Sequence, residues 1–383
     1  VPLPAAERPP AATAPAEIAL GNAARPLRRR WQWQVPGGIH RAAPVCHGSA
    51  LLVSQQDEAY PVQSGLACLE LATGQLRWQV RTDAVVKNSV AVASPPAGGQ
   101  RKGEAGSCVA VSVTGRVSAF SLGEGELLWQ AEVPSYPDQS VCTSPVVADG
   151  VVYVAATDSC VAYDLETGRR LWHTPLSPGT GRSYAEPQLY ADLLIVMIPS
   201  QGVLALRRAD GAIAWQRPFP VKYYCAGPVV VGDRLVCAGD GGDLAVLAAR
   251  SGETIWERPG LLGSYAAGLA ADTAHIYVTT VAGEAQSYTL HSGRRRWRFQ
   301  AGEALLAMTC YRRQGRSLLA APVRWRDYVV VGGLDGWLYL LDEASGTCVG
   351  RAAFGSPISA APCPTAAGLC VGTYDGRLLL YAE

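Results

Sequence analysis

One phrase returns seven times along the chain: an aliphatic run, a Gly turn, and a Trp four residues past the Gly. It stands as LATGQLRW at 71–78, GEGELLW at 123–129, LETGRRLW at 165–172, RADGAIAW at 208–215, RSGETIW at 250–256, HSGRRRW at 291–297 and EASGTCVG at 343–350. The Trp positions are 78, 129, 172, 215, 256 and 297, a period of about forty to fifty residues. A strand-rich repeat of that length closes into a propeller or a comparable all-β array.

Each position of the phrase has a physical reason. The Gly sits where a tight hairpin needs a positive φ, which a residue without Cβ adopts freely. Four residues later the indole falls on the outermost strand of its sheet, where it can cover the seam with the next sheet; burying it contributes about 1.5–3 kcal/mol or more. Turn glycines Gly115, Gly242, Gly283 and Gly336 stand fourteen residues before the Trp position, and Gly202 stands thirteen before Trp215. That register puts Gly350 in the Trp slot of the seventh repeat, so one seam is expected to pack differently.

Each repeat divides into four strands. In the third these are TSPVV, VVYVA, CVAYDLE and RRLW, separated by ADG, TDS and the Gly turn. Alternation within the runs and turn residues between them predict an antiparallel meander. Seven such blades end at 350, and ISAAPCP, GLCVGTY and GRLLLYA then supply three more strands. The missing outer strand is offered by LRRRWQWQV near the N-terminus, with Trp31 and Trp33. The fold expected is therefore all-β, an eight-bladed propeller of four-stranded antiparallel blades over 26–383. Residues 26–35 close the ring and remove its exposed edges. In the stretch 300–327, either AMTCYRR or SLLAAPV can serve as the inner strand of the seventh blade.

Composition excludes several classes. The chain has 383 residues, 49% hydrophobic and 17% charged, enough for one large core. Net charge is +1 and the arginines are scattered, so neither a nucleic-acid groove nor an anionic membrane surface is indicated. No apolar run approaches the eighteen or so residues of a membrane span. Residues 1–25 are Pro/Ala-rich and read as a linker. They lack the basic start and apolar core of a signal peptide; the expectation is that a leader or, preferably, an upstream domain precedes them.

The eleven cysteines include no C-x-x-C, no adjacent pair and no Cys/His cluster at zinc spacing. They read as small buried hydrophobes with no disulfide framing the fold. Unpaired thiols favour a reducing, cytoplasmic compartment, with a periplasmic one left open. His173 and His291 flank the repeated phrase, and His47 and His275 lie at strand hairpins; packing or surface roles suit all four. DGGD at 240–243 is placed as a turn between second and third strands.

The D-x-x-T-G-x-x-x-W pattern of Asp164, Thr167, Gly168 and Trp172 resembles the blade ending of the pyrroloquinoline-quinone-type repeat family, and the likeness covers residues 26–383. The resemblance implies an eight-bladed propeller. Some members are quinoprotein dehydrogenases; others bind no quinone, including the lipoprotein scaffold of outer-membrane barrel assembly. The dehydrogenase marks, an adjacent Cys pair, acidic and Asn calcium ligands and often C-x-x-C-H, do not occur: Asn22 and Asn88 are the only asparagines. No cofactor or metal is therefore expected. GGIHRAAPV at 37–45, VKNSV at 86–90 and VSVTGRVSAF at 111–120 look like the propeller downstream of calcineurin-like metallophosphoesterase domains in some bacterial proteins. The D-x-H and G-N-H-[DE] ligands of such enzymes are not in this chain, so that likeness would put catalysis upstream.

Two classes of function follow. The first, favoured, is a non-catalytic binding or scaffold module partnered by an upstream domain of its own polypeptide or by another protein. The second is an enzyme working at the propeller mouth, which no Ser/His/Asp set, carboxylate pair or phosphate loop supports. The binding surface is expected where links from one blade's outer strand reach the next blade's inner strand, since inner strands line the channel. These links carry His40 and Arg41, Lys87 and Asn88, Tyr136 and Asp138, Arg182 and Tyr184, Lys222 with Tyr223 and Tyr224, and Tyr265. The blade-one loop with Asp57, Glu58 and Tyr60 should rise on the same face. Two of the chain's three lysines fall in these links. They suggest a cationic, aromatic-walled mouth for a small polar or anionic ligand or an acidic peptide.

Overall fold

The computed structural model describes residues 14–20, 25–56, 64–94, 106–134, 141–177, 185–221, 226–306 and 315–383. These form eight antiparallel sheets and contain no helix. Seven sheets have four strands in chain order; the first runs Val45–His47, Ala50–Gln55, Gly65–Glu70, Leu76–Arg81. In the eighth, Leu27–Gln34 pairs with Arg377–Ala382, Trp31 opposite Leu380. The expected eight-bladed ring closed by an N-terminal strand is the observed one. The seventh blade's inner strand is Val323–Trp325, entered through the SLLAAPV stretch; AMTCYRR, at 307–313, lies outside the described residues.

The core is divided among the seams. One apolar cluster fills each interface between neighbouring blades, such as Val109, Val117 and Trp129 of the second blade against Val152, Val161 and Tyr163 of the third. The last blade meets the first through Leu378, Leu380, Leu51 and Leu69. Second and third strands, covered on both faces by neighbouring blades, read as nearly continuous buried runs, LLIVMI at Leu193–Ile198 for example.

The repeated phrase forms a clamp between blades. Trp129 lies over the Gly turn of the next blade, where a Cβ on Gly168 would come 2.6 Å from the ring. Gly168 also has φ +70°, so the turn needs glycine for its backbone and for the ring above it. Trp31, Trp78, Trp172, Trp215, Trp256 and Trp297 stack on Gly74, Gly125, Gly211, Gly252, Gly293 and Gly346 in the same way. The indole N–H then donates to the carbonyl three residues before that Gly: Trp31 to Leu71 at 2.9 Å, Trp129 to Leu165 at 2.7 Å, Trp297 to Glu343 at 3.0 Å. Trp215 stacks without this bond; nothing in the structure explains the exception.

The seam between blades seven and eight, where Gly350 replaces Trp, is closed differently. Residues 14–20, inside the Pro/Ala-rich stretch, fold back onto it. Glu17–Ile18 adds a fifth strand outside Leu27–Gln34, with Ile18 opposite Leu27. Ala14, Ile18 and Leu20 are buried with Phe354, Leu379 and Tyr381. The Ala19 carbonyl sits 2.5 Å from where a Cβ on Gly350 would be. Tyr381 donates its hydroxyl to the Pro15 carbonyl at 2.8 Å, and Arg29 Nη1 donates to the Ala14 carbonyl at 3.0 Å. The segment occupies the space an indole fills elsewhere.

Candidate functional site

Eight inner strands converge on the axis, and their starts ring one mouth of the channel. Small residues let them approach: a Cβ on Gly268 would meet Ala321 Cα at 2.3 Å, and one on Gly227 the Glu186 nitrogen at 2.8 Å. The space left is a cavity of about 200 Å³. Its wall is mostly backbone and small side chains, with Arg41, Asn88, Ser89, Glu186, Gln188 and Ser359 as the polar members.

Hydrogen bonds fix this wall from behind. Asn88 is buried, and its amide nitrogen donates to the Cys142 carbonyl of the next blade. The Ala43 N–H donates to Ser89 Oγ at 3.1 Å, and Ser144 Oγ donates to Glu186 Oε1 at 2.7 Å. Ser359 is 3% exposed and its hydroxyl has no hydrogen-bond partner among the described residues. Arg41 is half-buried; among the described residues that line the cavity, the charged side chains are its guanidinium and the Glu186 carboxylate, three blades apart.

The expected mouth residues divide three ways. Arg41 and Asn88 border the cavity. His40 sits beside it but packs on the Tyr374 ring, centroids 4.1 Å apart. Lys87 is half-buried, and its carbonyl accepts from Gln56 Nε2 at 3.3 Å. Tyr265 is 47% exposed on the same face, and Leu305, in the following link, is 44% exposed. Arg182, Tyr184, Lys222, Tyr223 and Tyr224 lie outside the described residues, as do Tyr136, Asp138, Asp57, Glu58 and Tyr60. Sequence reasoning missed Glu186, Ser359 and Leu305. Position within the links could have found them; residue type alone could not.

On the opposite face, Asp272, His275 and Glu343 come within metal-ligand distance of one another, the only such group among the described residues. A protein cation already sits among them: Arg324 bonds Asp272 at 3.2 Å and Glu343 at 3.0 Å. Tyr277 donates its hydroxyl to Glu343 at 2.7 Å, and burial together with that bond pushes the phenol well above its usual range. Burial alone would raise the Asp272 carboxyl, but N–H groups of Ala274 and His275 and the Arg324 charge hold it below the ordinary carboxylate range. The arrangement is an ionic tie between blades six and seven rather than an open metal centre.

Clamp, ring and mouth together define a propeller of PQQ-like repeats. The family model described as "Outer membrane protein assembly factor BamB" matches residues 62–299 and 222–357. The chain belongs to this family. The BamB of Bordetella pertussis is 26% identical over 384 residues, covering 96% of this chain and 89% of the relative. The crystal structure of BamB from Moraxella catarrhalis superposes with a TM-score of 0.69 at 17% identity, over 93% of this chain and all of that one. A europium-containing methanol dehydrogenase superposes as well, TM-score 0.71 at 14% identity, over 93% of each chain. At such identities the superpositions establish the fold and do not separate scaffold from dehydrogenase.

Proposed function

We propose that this chain is a non-catalytic scaffold in the assembly of outer membrane proteins, acting through protein contacts on the face that carries the channel mouth. The observation that carries the reading is the family match, joined by a Bordetella pertussis relative aligned along almost the whole chain. The alternative drawn from the repeat family, an envelope assembly scaffold, thus has more support than a phosphoesterase-linked module. The relatives matched are assembly factors, and none supports a phosphoesterase fusion.

The surface supports a docking role. Six of the eight exposed large apolar side chains among the described residues, Leu76, Leu127, Leu128, Leu171, Ile213 and Ile255, lie on outer strands and are spread over blades one to five. Tyr265 and Leu305 instead stand in consecutive links on the mouth face, where a partner can cover both. The test is replacement of the homologous region of the Bordetella pertussis relative by this chain, with outer-membrane barrel proteins quantified. Restoration toward wild-type levels is expected; a folded chain that leaves them at deletion-strain levels overturns the reading.

A dehydrogenase reading rests on fold likeness alone. Adding pyrroloquinoline quinone and calcium to the purified chain separates the two classes. The scaffold reading expects no dye-coupled alcohol oxidation, and turnover would replace it.

A further inference from the structure

At the seam between blades seven and eight the closing piece comes from outside the repeats, and the ring holds it as a groove holds a peptide. Three successive carbonyls of the segment accept hydrogen bonds: Ala14 from Arg29 Nη1 at 3.0 Å, Pro15 from the Tyr381 hydroxyl at 2.8 Å and Ala16 from the Arg29 N–H at 2.8 Å. All three donors belong to the ring. Carbonyls carry no sequence information, so these bonds fix the path and direction of an extended chain. Selection falls to the side chains. Ala14, Ile18 and Leu20 are buried, whereas Ala16, Glu17 and Ala19 are exposed. A small residue and, four positions on, an aliphatic–x–aliphatic pair thus meet a wall that includes Leu27, Phe354 and Tyr381.

The ring's own bonds fix that wall. Tyr381 is paired with Arg29 on one side and Leu369 on the other, and the Phe354 N–H donates to the Gly336 carbonyl at 2.8 Å. The segment's strand pairing is short by comparison, Glu17 with Arg28 and Ile18 with Leu27. We propose that the groove between blades seven and eight is a peptide-binding site occupied in cis by residues 14–20. Its partner in trans is an extended segment of another polypeptide carrying the same small residue and aliphatic–x–aliphatic pair. The resident segment competes at the high local concentration its attachment gives it, so the site opens to a partner as the segment lets go. This site lies on the rim, away from the mouth, and the inference does not rest on the assembly role.

The test is fluorescence anisotropy of a labelled, end-blocked peptide APAEIAL, which copies Ala14–Leu20. It is titrated with the full wild-type chain and with the full chain carrying Ile18→Asp and Leu20→Asp, which puts charges where the segment is buried. Saturable binding to the double variant is expected, at least tenfold tighter than to wild type, where the segment competes. The same peptide with Asp at both aliphatic positions should bind about tenfold more weakly or less. Tyr381→Phe added to the double variant should weaken binding about fivefold, one hydrogen bond being lost. Should the double variant not fold alone, APAEIAL should raise its melting temperature with rising concentration and the Asp peptide should not. Neither saturable binding nor a thermal shift would make the segment a fixed part of the fold and overturn the proposal. So would equal binding by wild type, equal binding of the Asp peptide, or undiminished binding after Tyr381→Phe.

Discussion

At the residue scale, the decisive contact is an indole on a glycine. Gly168 and Gly150 both have positive φ, +70° and +74°, but only Gly168 lies under a ring; around Gly150 nothing comes within 4 Å. Gly150→Ala should therefore cost only the backbone penalty, about 1 kcal/mol, whereas Gly168→Ala adds a clash with Trp129 and should cost about 3 kcal/mol or more. Equal midpoint shifts for the two in urea denaturation would contradict the clamp. The ionic tie makes a second prediction. Because the Asp272 pKa is held below its unfolded value of about 3.9, its stabilisation is present above that pH and is lost as pH falls through the folded value. Arg324 is 45% exposed in its side chain, so the tie contributes about 1 kcal/mol or less. Arg324→Met should lower stability at pH 7, and the gap from wild type should begin to close as pH falls below about 4 and go on closing as it passes through the lower folded value; a constant gap would place the effect in packing. The buried cysteines predict a third result. Cys68, Cys108, Cys160, Cys237 and Cys370 are buried free thiols, and burial pushes Cys68 up to about 11 and Cys108 up to about 12, so these should react slowly in the native protein and fully after denaturation, without reductant.

At the scale of elements, the blades were legible because hydrophobic alternation and a fixed Gly-to-Trp spacing are properties of the chain itself. Even the odd seam announced itself, since the register put Gly350 where Trp belongs. What closes that seam was not legible. Residues 14–20 have no alternation and no turn signal, and their burial depends on a void that two distant blades create. Ile18 is fully buried in that void, so Ile18→Ala should cost about 2–5 kcal/mol, as for other core aliphatic truncations. A change under about 0.5 kcal/mol, typical of surface positions, would mean the segment does not hold the seam. The mouth was legible only in position. Topology puts the links on one face, which places Arg41, Asn88 and Tyr265 there, but the links repeat neither length nor composition. Hence His40 spends its ring on Tyr374, and Glu186 and Ser359 enter unannounced.

At the scale of the whole molecule, eight seams each carry their own apolar cluster, so the ring is rigid and its loop face can vary without disturbing the core. The same ring serves an assembly factor and a methanol dehydrogenase, and function therefore has to be sought on that face rather than in the fold. If the chain works by contact there, exposed side chains remote from any chemistry should decide its activity. The most direct measurement is the level of outer-membrane barrel proteins in the Bordetella pertussis replacement strain carrying Tyr265→Ser with Leu305→Ser. Both residues are exposed rather than core positions, so the melting temperature should hold while barrel-protein levels fall toward those of the deletion strain. Unchanged levels with a normally folded double variant would contradict docking on this face.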